Sequence, residues 1–201
     1  GTGAASNYSL SSASMNVTER VLSSSGNKIY DANTDGSASN ITLSNLVGSE
    51  TLVKTGVASI SSPNVGSYSI NNLSGISISD GSNGGSASNY TLASGTHNFS
   101  VSRREINATL SRHYDSTTNA PGSNLSSFDS LQAGETLSLS GSGTIASKDV
   151  GNSKSVTIGS IALTDGTGTA SNYDLNSVVM NVTKKPLSLT GSKTYDGTTA
   201  A

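Results

Sequence analysis

The sequence predicts an all-β fold built as tandem small domains, and three observations predict it. Apolar residues alternate with Ser and Thr two apart, turn-forming dipeptides punctuate the chain at short intervals, and an ordered set of landmarks recurs at one period. Tyr30-Asp31 returns as Tyr114-Asp115 and Tyr195-Asp196, at spacings of 84 and 81 residues. Gly48-Ser49-Glu50-Thr51-Leu52 returns as Gly134-Glu135-Thr136-Leu137, Asn64-Val65-Gly66 as Asp149-Val150-Gly151, and Asp80-Gly81 as Asp165-Gly166, each 85 residues on. Ser88-Asn89-Tyr90 is matched by Ser6-Asn7-Tyr8 and Ser171-Asn172-Tyr173, at 82 and 83 residues.

These landmarks set the domain organisation. Residues 1–19 are expected to be the C-terminal part of a preceding repeat. Residues 20–103 and 104–185 are full repeats, and 186–201 the N-terminal part of a following one, so the chain is expected to be a piece of a longer protein. An array of this kind spans distance or multiplies a weak contact more often than it holds one catalytic centre.

Composition narrows the class. Apolar residues make up 32% and charged residues 12%, with a net charge of -2 and neither Cys nor Trp. Low hydrophobicity without high charge, made up by Ser, Thr, Asn and Gly, suits half-exposed strands joined by turns rather than disorder. No basic stripe is present to neutralise phosphates, which argues against nucleic acid. No run is long or apolar enough to insert in a bilayer. The pairs Arg103-Arg104 and Lys184-Lys185 fall at matching joints and read as solvated linker charges.

Along one copy, Leu137-Ser-Leu-Ser140, Ile76-Ser-Ile-Ser79 and Leu187-Ser-Leu-Thr190 place apolar side chains on one face of a strand. Tyr68-Ser-Ile70 and Val156-Thr-Ile158 read alike. Residues 45–52 and 127–137 are short helices or turns. Asp80-Gly81, Asn83-Gly84, Asp165-Gly166 and Asp196-Gly197 offer residues that tolerate positive φ. Pro63, Pro121 and Pro186 belong in loops or at a joint. About seven strands per copy suggest small β-sandwich-like or β-grasp-like domains in an elongated array. The alternative is a β-helix, whose coil of roughly 20–30 residues leaves no visible subperiod here.

In fixed order, Lys193-Thr-Tyr-Asp-Gly-Thr-Thr199, Leu46-Val-Gly-Ser-Glu-Thr-Leu52, Asn64-Val-Gly66, Ala87-Ser-Asn-Tyr-Thr-Leu92 and Asn181-Val-Thr-Lys-Lys-Pro-Leu187 resemble the YDG/MBG-type repeats of large bacterial surface adhesins. These include filamentous-haemagglutinin-like proteins exported by two-partner secretion. The resemblance covers essentially the whole chain. It departs where Ala32 and Ser116 stand in place of the Gly after Tyr-Asp, in an added loop at 82–86, and at Asp174, where the first copy has Thr91. It implies the stalk of an extracellular, cell-surface adhesin, with neighbouring repeats of the same chain as partners. It supplies no catalytic or ligand-binding residue.

Six of the seven tyrosines fall at two repeat positions: Tyr8, Tyr90 and Tyr173, then Tyr30, Tyr114 and Tyr195. Recurrence in every copy marks structural anchors, each with a hydroxyl that needs a partner. The adjacent Asp residues read as turn or capping carboxylates, and Glu50 and Glu135 as short-helix or turn residues. Asp31, Asn33 and Asp35 with Gly36 match the start of a calcium loop. Thr42 occupies the twelfth position, where a bidentate Glu is required, and the second copy keeps neither the charge nor the Gly, so an acidic loop is the preferred reading. His97 and His113 sit at different repeat positions with no metal spacing around them. No nucleophile elbow appears, and neither an enzyme nor a cofactor is expected. Nine Asn-x-Ser/Thr sites (at Asn7, Asn16, Asn40, Asn72, Asn89, Asn98, Asn107, Asn124 and Asn181) are close to the number this composition gives by chance.

Two functions remain in view. The repeats are spacers that project an adhesive region and support attachment or biofilm formation, or they are modules that bind host or matrix polysaccharide, or like chains, by avidity.

Overall fold

The computed structural model describes residues 2–198, with the backbone alone at Asn71 and Asn72. Thr199 and the rest of the C-terminal segment lie outside the described residues. The chain divides into two units, Gly1–Ser102 and Arg103–Ala201.

Unit 1 carries β1 (Arg20–Val21), β2 (Ser23–Ile29), β3 (Asp35–Ser37), β4 (Ile41–Ser44), β5 (Leu52–Ile60), β6 (Gly66–Asn72), β7 (Ile76–Asp80), β8 (Tyr90–Thr91) and β9 (His97–Ser102). Unit 2 carries β10 (Arg104–His113), β11 (Asn119–Pro121), β12 (Leu125–Phe128), β13 (Leu137–Ser140), β14 (Ser142–Ile145), β15 (Gly151–Thr157), β16 (Ala162–Asp165) and β17 (Tyr173–Thr183). The helical turns among the described residues are three-residue 3-10 turns, each ending on Ser-Asn: Ala5–Asn7, Ala38–Asn40, Ala87–Asn89, Gly122–Asn124 and Ala170–Asn172. The fold is all-β, and residues 45–52 and 127–137 hold turns and strand rather than helix. Its ladders are mostly antiparallel between neighbouring strands, unlike the stacked coils of a β-helix.

Alternation is what makes these segments strands. In β10 the inward residues are Ile106, Ala108 and Leu110, and in β17 Val178, Met180 and Val182, all buried at a period of two. Each large one contributes about 1.5–3 kcal/mol by leaving water. The same pattern at Leu187 and Leu189 forms no strand; both are fully exposed. Alternation prepares a face, but a ladder needs a neighbour.

The principal sheet of unit 2 runs β11-β14-β15-β17-β10-β12, and that of unit 1 runs β3-β5-β6-β9-β2-β4. In unit 2, β11 and β12 lie at opposite edges yet are joined by Gly122–Asn124 alone. A 3-10 turn of that length spans only about 6 Å, so the sheet has to curl until its edges almost meet. β3 and β4, joined by Ala38–Asn40, impose the same closure on unit 1.

The first and last strands of each unit are parallel neighbours at the centre of this sheet. β10 and β17 register over ten residue pairs, from Arg104 opposite Tyr173 to His113 opposite Thr183. Opposite Ile106 and Asn107, β17 holds one extra residue, Asn176. Its amide and the Ser177 hydroxyl both donate to Asn107 Oδ1, while Asp129 accepts from the Asn107 backbone and side chain. In unit 1 the ladder is split. β1 pairs β8 over two residues, and β2 pairs β9 over six, with residues 92–96 looped out between.

One glycine position bends the sheet. β5 turns at Gly56 (φ 98°) and its counterpart bends at Gly141 (φ 73°), between β13 and β14. A Cβ at either would lie about 2 Å from a carbonyl oxygen, of Gly75 or of Ser160. Before the bend the strand pairs β7 (β16 in unit 2); after it, the strand pairs β3 (β11). Gly81 and Gly166, expected at positive φ, do not have it; they are needed because the Thr51 and Thr136 carbonyls pass within 2.1 and 2.4 Å of where a Cβ would be.

Candidate functional site

The loop after the first strand holds the Tyr-Asp landmark, and it is organised around a basic side chain three residues before the Asp. In unit 1, Lys28 is buried. Its Nζ lies 2.7 Å from the Asn33 carbonyl, 2.8 Å from Asn33 Oδ1, 3.0 Å from the Asp35 carbonyl and 2.8 Å from Asp31 Oδ1. Asp31, Asn33 and Asp35, read as an acidic loop with the start of a calcium pattern, lie around an ammonium supplied by the chain: Lys28 on β2 meets the Asp31 carboxylate, the Asn33 side-chain oxygen and the Asn33 and Asp35 carbonyls. Asp31 also accepts from the Asn33 backbone N–H, closing a turn typical of this side chain.

Arg112 takes the same place in unit 2, donating to Asp115 and to the Thr117 carbonyl. Lys193 takes it in the C-terminal segment, donating to Asp196 and to both oxygens of Thr198. The Lys193 contact holds the Asp196 carboxyl below its ordinary value of 3.8. That third loop closes where no sheet surrounds it, so the motif is encoded locally. Its signal was available, since Lys28, Arg112 and Lys193 recur at the spacings of Tyr-Asp itself. The residue after the Asp has positive φ in all three copies: Ala32 at 61°, Ser116 at 65° and Gly197 at 78°.

A second recurring contact joins two landmarks. The Tyr90 hydroxyl donates to Glu50 and accepts from the Val47 backbone N–H; the Tyr173 hydroxyl donates to Glu135 and accepts from the Gln132 N–H. The bond to Glu50 raises the Tyr90 pKa above 10.0, because ionisation would set two anions side by side. Glu50 and Glu135 thus fasten the turn before β5, or before β13, to the strand that carries the Tyr. Asp80 and Asp165 cap the 3-10 turns leading into those strands by accepting from the Ala87 and Ala170 N–H groups.

A structural role is also added to the linker reading for one of the paired arginines, Arg104. Arg104 Nε donates to the Ser130 carbonyl at 2.6 Å, as Arg20 Nε does to Asn45 at 2.6 Å. Both acceptor residues have positive φ. Arg103 pairs with Asp174 at 2.9 Å; both side chains are about half exposed, so the pair stabilises little.

Among the six tyrosines expected as anchors, Tyr30, Tyr90 and Tyr173 are buried and Tyr114 packs partly buried on the unit 2 core. Tyr8 and Tyr195 are corrections: they are 77% and 92% exposed. Their segments form no strand, so no sheet or overlying turn covers the rings.

The histidines are held apart. His97 accepts from the buried Ser24 hydroxyl at Nδ1 and donates from Nε2 to the Leu92 carbonyl, which bridges β2, β9 and the looped residues between. His113 contacts Thr183 and the Lys184 carbonyl at the end of β17. An open groove of about 370 Å³ in unit 2 is lined by Arg103, Ile158, Ile161, Leu163, Tyr173 and Leu175. Its lining brings together no nucleophile and base.

The class these features define is an all-β fold whose recurring polar residues tie its own loops down. The YDG domain family matches residues 16–97 and 103–180, which together make up most of the chain. The chain belongs to the YDG domain family. No curated protein and no solved structure matches it.

Proposed function

We propose that these repeats are spacers in the stalk of an extracellular bacterial surface adhesin, without enzymatic activity, projecting an adhesive region and supporting attachment. The observation that carries this reading is the parallel pairing of first and last strands. The chain enters each unit at one end of the central ladder and leaves at the other, so the entry and exit points of a unit lie a ladder's length apart. At about 3.3 Å per residue, a ten-pair ladder advances the chain by roughly 30 Å. The recurring landmarks support the reading, because they are used within the unit: Tyr90 on Glu50, Tyr173 on Glu135, and Lys28 and Arg112 on the Tyr-Asp loops. The strands paired on one side only are short, β7 with five residues being the longest, which limits lateral pairing with like chains.

The test replaces residues 20–185, in the producing cell, by two unrelated β-domains of matched length. Restored attachment supports a spacer. Failure with surface display intact would show that the repeats themselves bind polysaccharide or one another, and would sink the proposal.

A further inference from the structure

We propose that the parallel pair of first and last strands is a mechanical clamp loaded in shear, and that the two units form a graded pair in which unit 1 yields before unit 2. The inference rests on the stalk reading for its purpose, but its test does not.

The argument begins with where tension is applied. A pull along the chain reaches unit 2 at Arg104 and Thr183, the two outer ends of β10 and β17. Because these strands are parallel and adjacent, force drags them past each other along their length. All the hydrogen bonds between them then lie across the load together, and none can fail alone. Strands pulled from the same end open one bond at a time, and a single hydrogen bond offers little resistance alone. Forced rupture follows the barrier to unfolding, so a cooperative ladder resists far better than its equilibrium stability alone suggests.

Position protects the clamp. β17 and β10 are interior strands, flanked by β15 and β12, so the ladder is covered along both sides. Val182, Met180, Ile106 and Leu110 are fully buried beneath it, which keeps water from replacing the strained bonds. Thr183 Oγ1 donates to the Arg112 carbonyl, and the Tyr114 N–H donates to the Thr183 carbonyl, extending the grip past the last registered pair.

The grading comes from the differences between copies. The unit 2 ladder has ten pairs and one extra residue, Asn176, whose amide is itself bonded to Asn107. The unit 1 ladder is divided into two pairs and six pairs by the loop at 92–96. The two pieces share load less evenly, and the shorter one fails first.

Single-molecule force spectroscopy tests this on the whole chain, held by peptide tags at its two ends. Two rupture events are expected, each releasing the length of one unit. Because the chain has no native Cys, handles can also be placed at His113→Cys and Lys184→Cys, both exposed, the one the last residue of β10 and the other the first after β17. Pulling there peels the pair, and unit 2 is expected to open at a severalfold lower force. A second pair, Ser116→Cys with Lys185→Cys, repeats the peel should the first variant fold poorly. Oxidised Ser25→Cys/Asn98→Cys, at registered exposed positions, staples unit 1. It should remove most of the length released in the weaker event. Equal rupture forces in shear and peel would overturn the clamp, and shortening of the stronger event by the staple would overturn the order. Either result leaves the spacer proposal to its own replacement assay.

Discussion

A buried ammonium is costly unless its donors are satisfied, and at Lys28 four oxygens within 3.0 Å satisfy them. Removing the charge leaves those oxygens facing one another. Lys28→Met is therefore expected to destabilise unit 1 by about 2–4 kcal/mol, below the range for a fully buried pair because Asp31 is partly solvated. Lys28→Arg should cost under about 1 kcal/mol, since Arg112 already works in the same place. Urea unfolding of the three proteins decides. The next residue in that loop offers a gain: Ala32 holds φ 61°, where its Cβ is crowded, and Gly197 shows what the site prefers. Ala32→Gly should stabilise by about 0.5–1 kcal/mol, the relief of crowding exceeding the added chain entropy. A loss of stability would show that Ala32 contributes something beyond its conformation. At Tyr90 the sign of the pH effect is fixed by the raised pKa. The contribution is fully present below 10.0 and is lost as pH rises through the folded value. Difference titration of phenolate absorbance against Tyr90→Phe should show late ionisation, and Glu50→Gln should bring it back towards 10.0.

Between elements, the first and last strands fit by complementary volume. In unit 1 the ring of Phe99 lies over Gly26, where a Cβ would come within 2.4 Å of the ring, and over Gly36. In unit 2 the same three places hold Met180, Leu110 and Ala120, all buried. Large against absent in one copy becomes medium against medium in the other. Gly26→Leu should cost about 1–3 kcal/mol by overpacking, and Phe99→Met added to it should recover most of that. If the double variant is no better than the single, the two positions are not coupled through volume. Much at this scale was legible in the sequence. Leu137 and Leu139 alternate with serines and are buried, whereas Pro121, expected in a loop or at a joint, lies on the edge strand β11. The partnership of Gly26 with Phe99 was not, because parallel pairing joins residues about 73 apart, as at Ser24 and His97, and no local pattern names a distant neighbour. A nearer signal was missed. Asp35-Gly-Ser-Ala-Ser-Asn-Ile-Thr-Leu43 returns within the same copy, around an insertion, at Asp80-Gly81 and Ser86-Ala-Ser-Asn-Tyr-Thr-Leu92. Both stretches carry the chain from a partner of β5, through a 3-10 turn, to a partner of β1 or β2.

For the whole molecule, the period carried more information than any single residue. The period runs through both segments that the family model matches, 16–97 and 103–180, and the all-β class followed from alternation and turns. The polar ties were legible only in part. Tyr90 and Glu50 were each seen to recur, but that they meet depends on a fold that brings residue 50 against residue 90. Each unit has its own core and its own curled sheet, so residues 103–185 alone should fold and melt within a few degrees of unit 2 in the full chain. A lower or broad transition would show that the units depend on each other. The cation built into each Tyr-Asp loop bears on where such a protein can work. A dissolved ion must be present at sufficient concentration and can be stripped away; a tethered ammonium or guanidinium is always at hand. These loops should keep their shape in chelating or ion-poor surroundings, and on the spacer function proposed above the reach of such repeats would be set by gene length rather than by the mineral content of the medium.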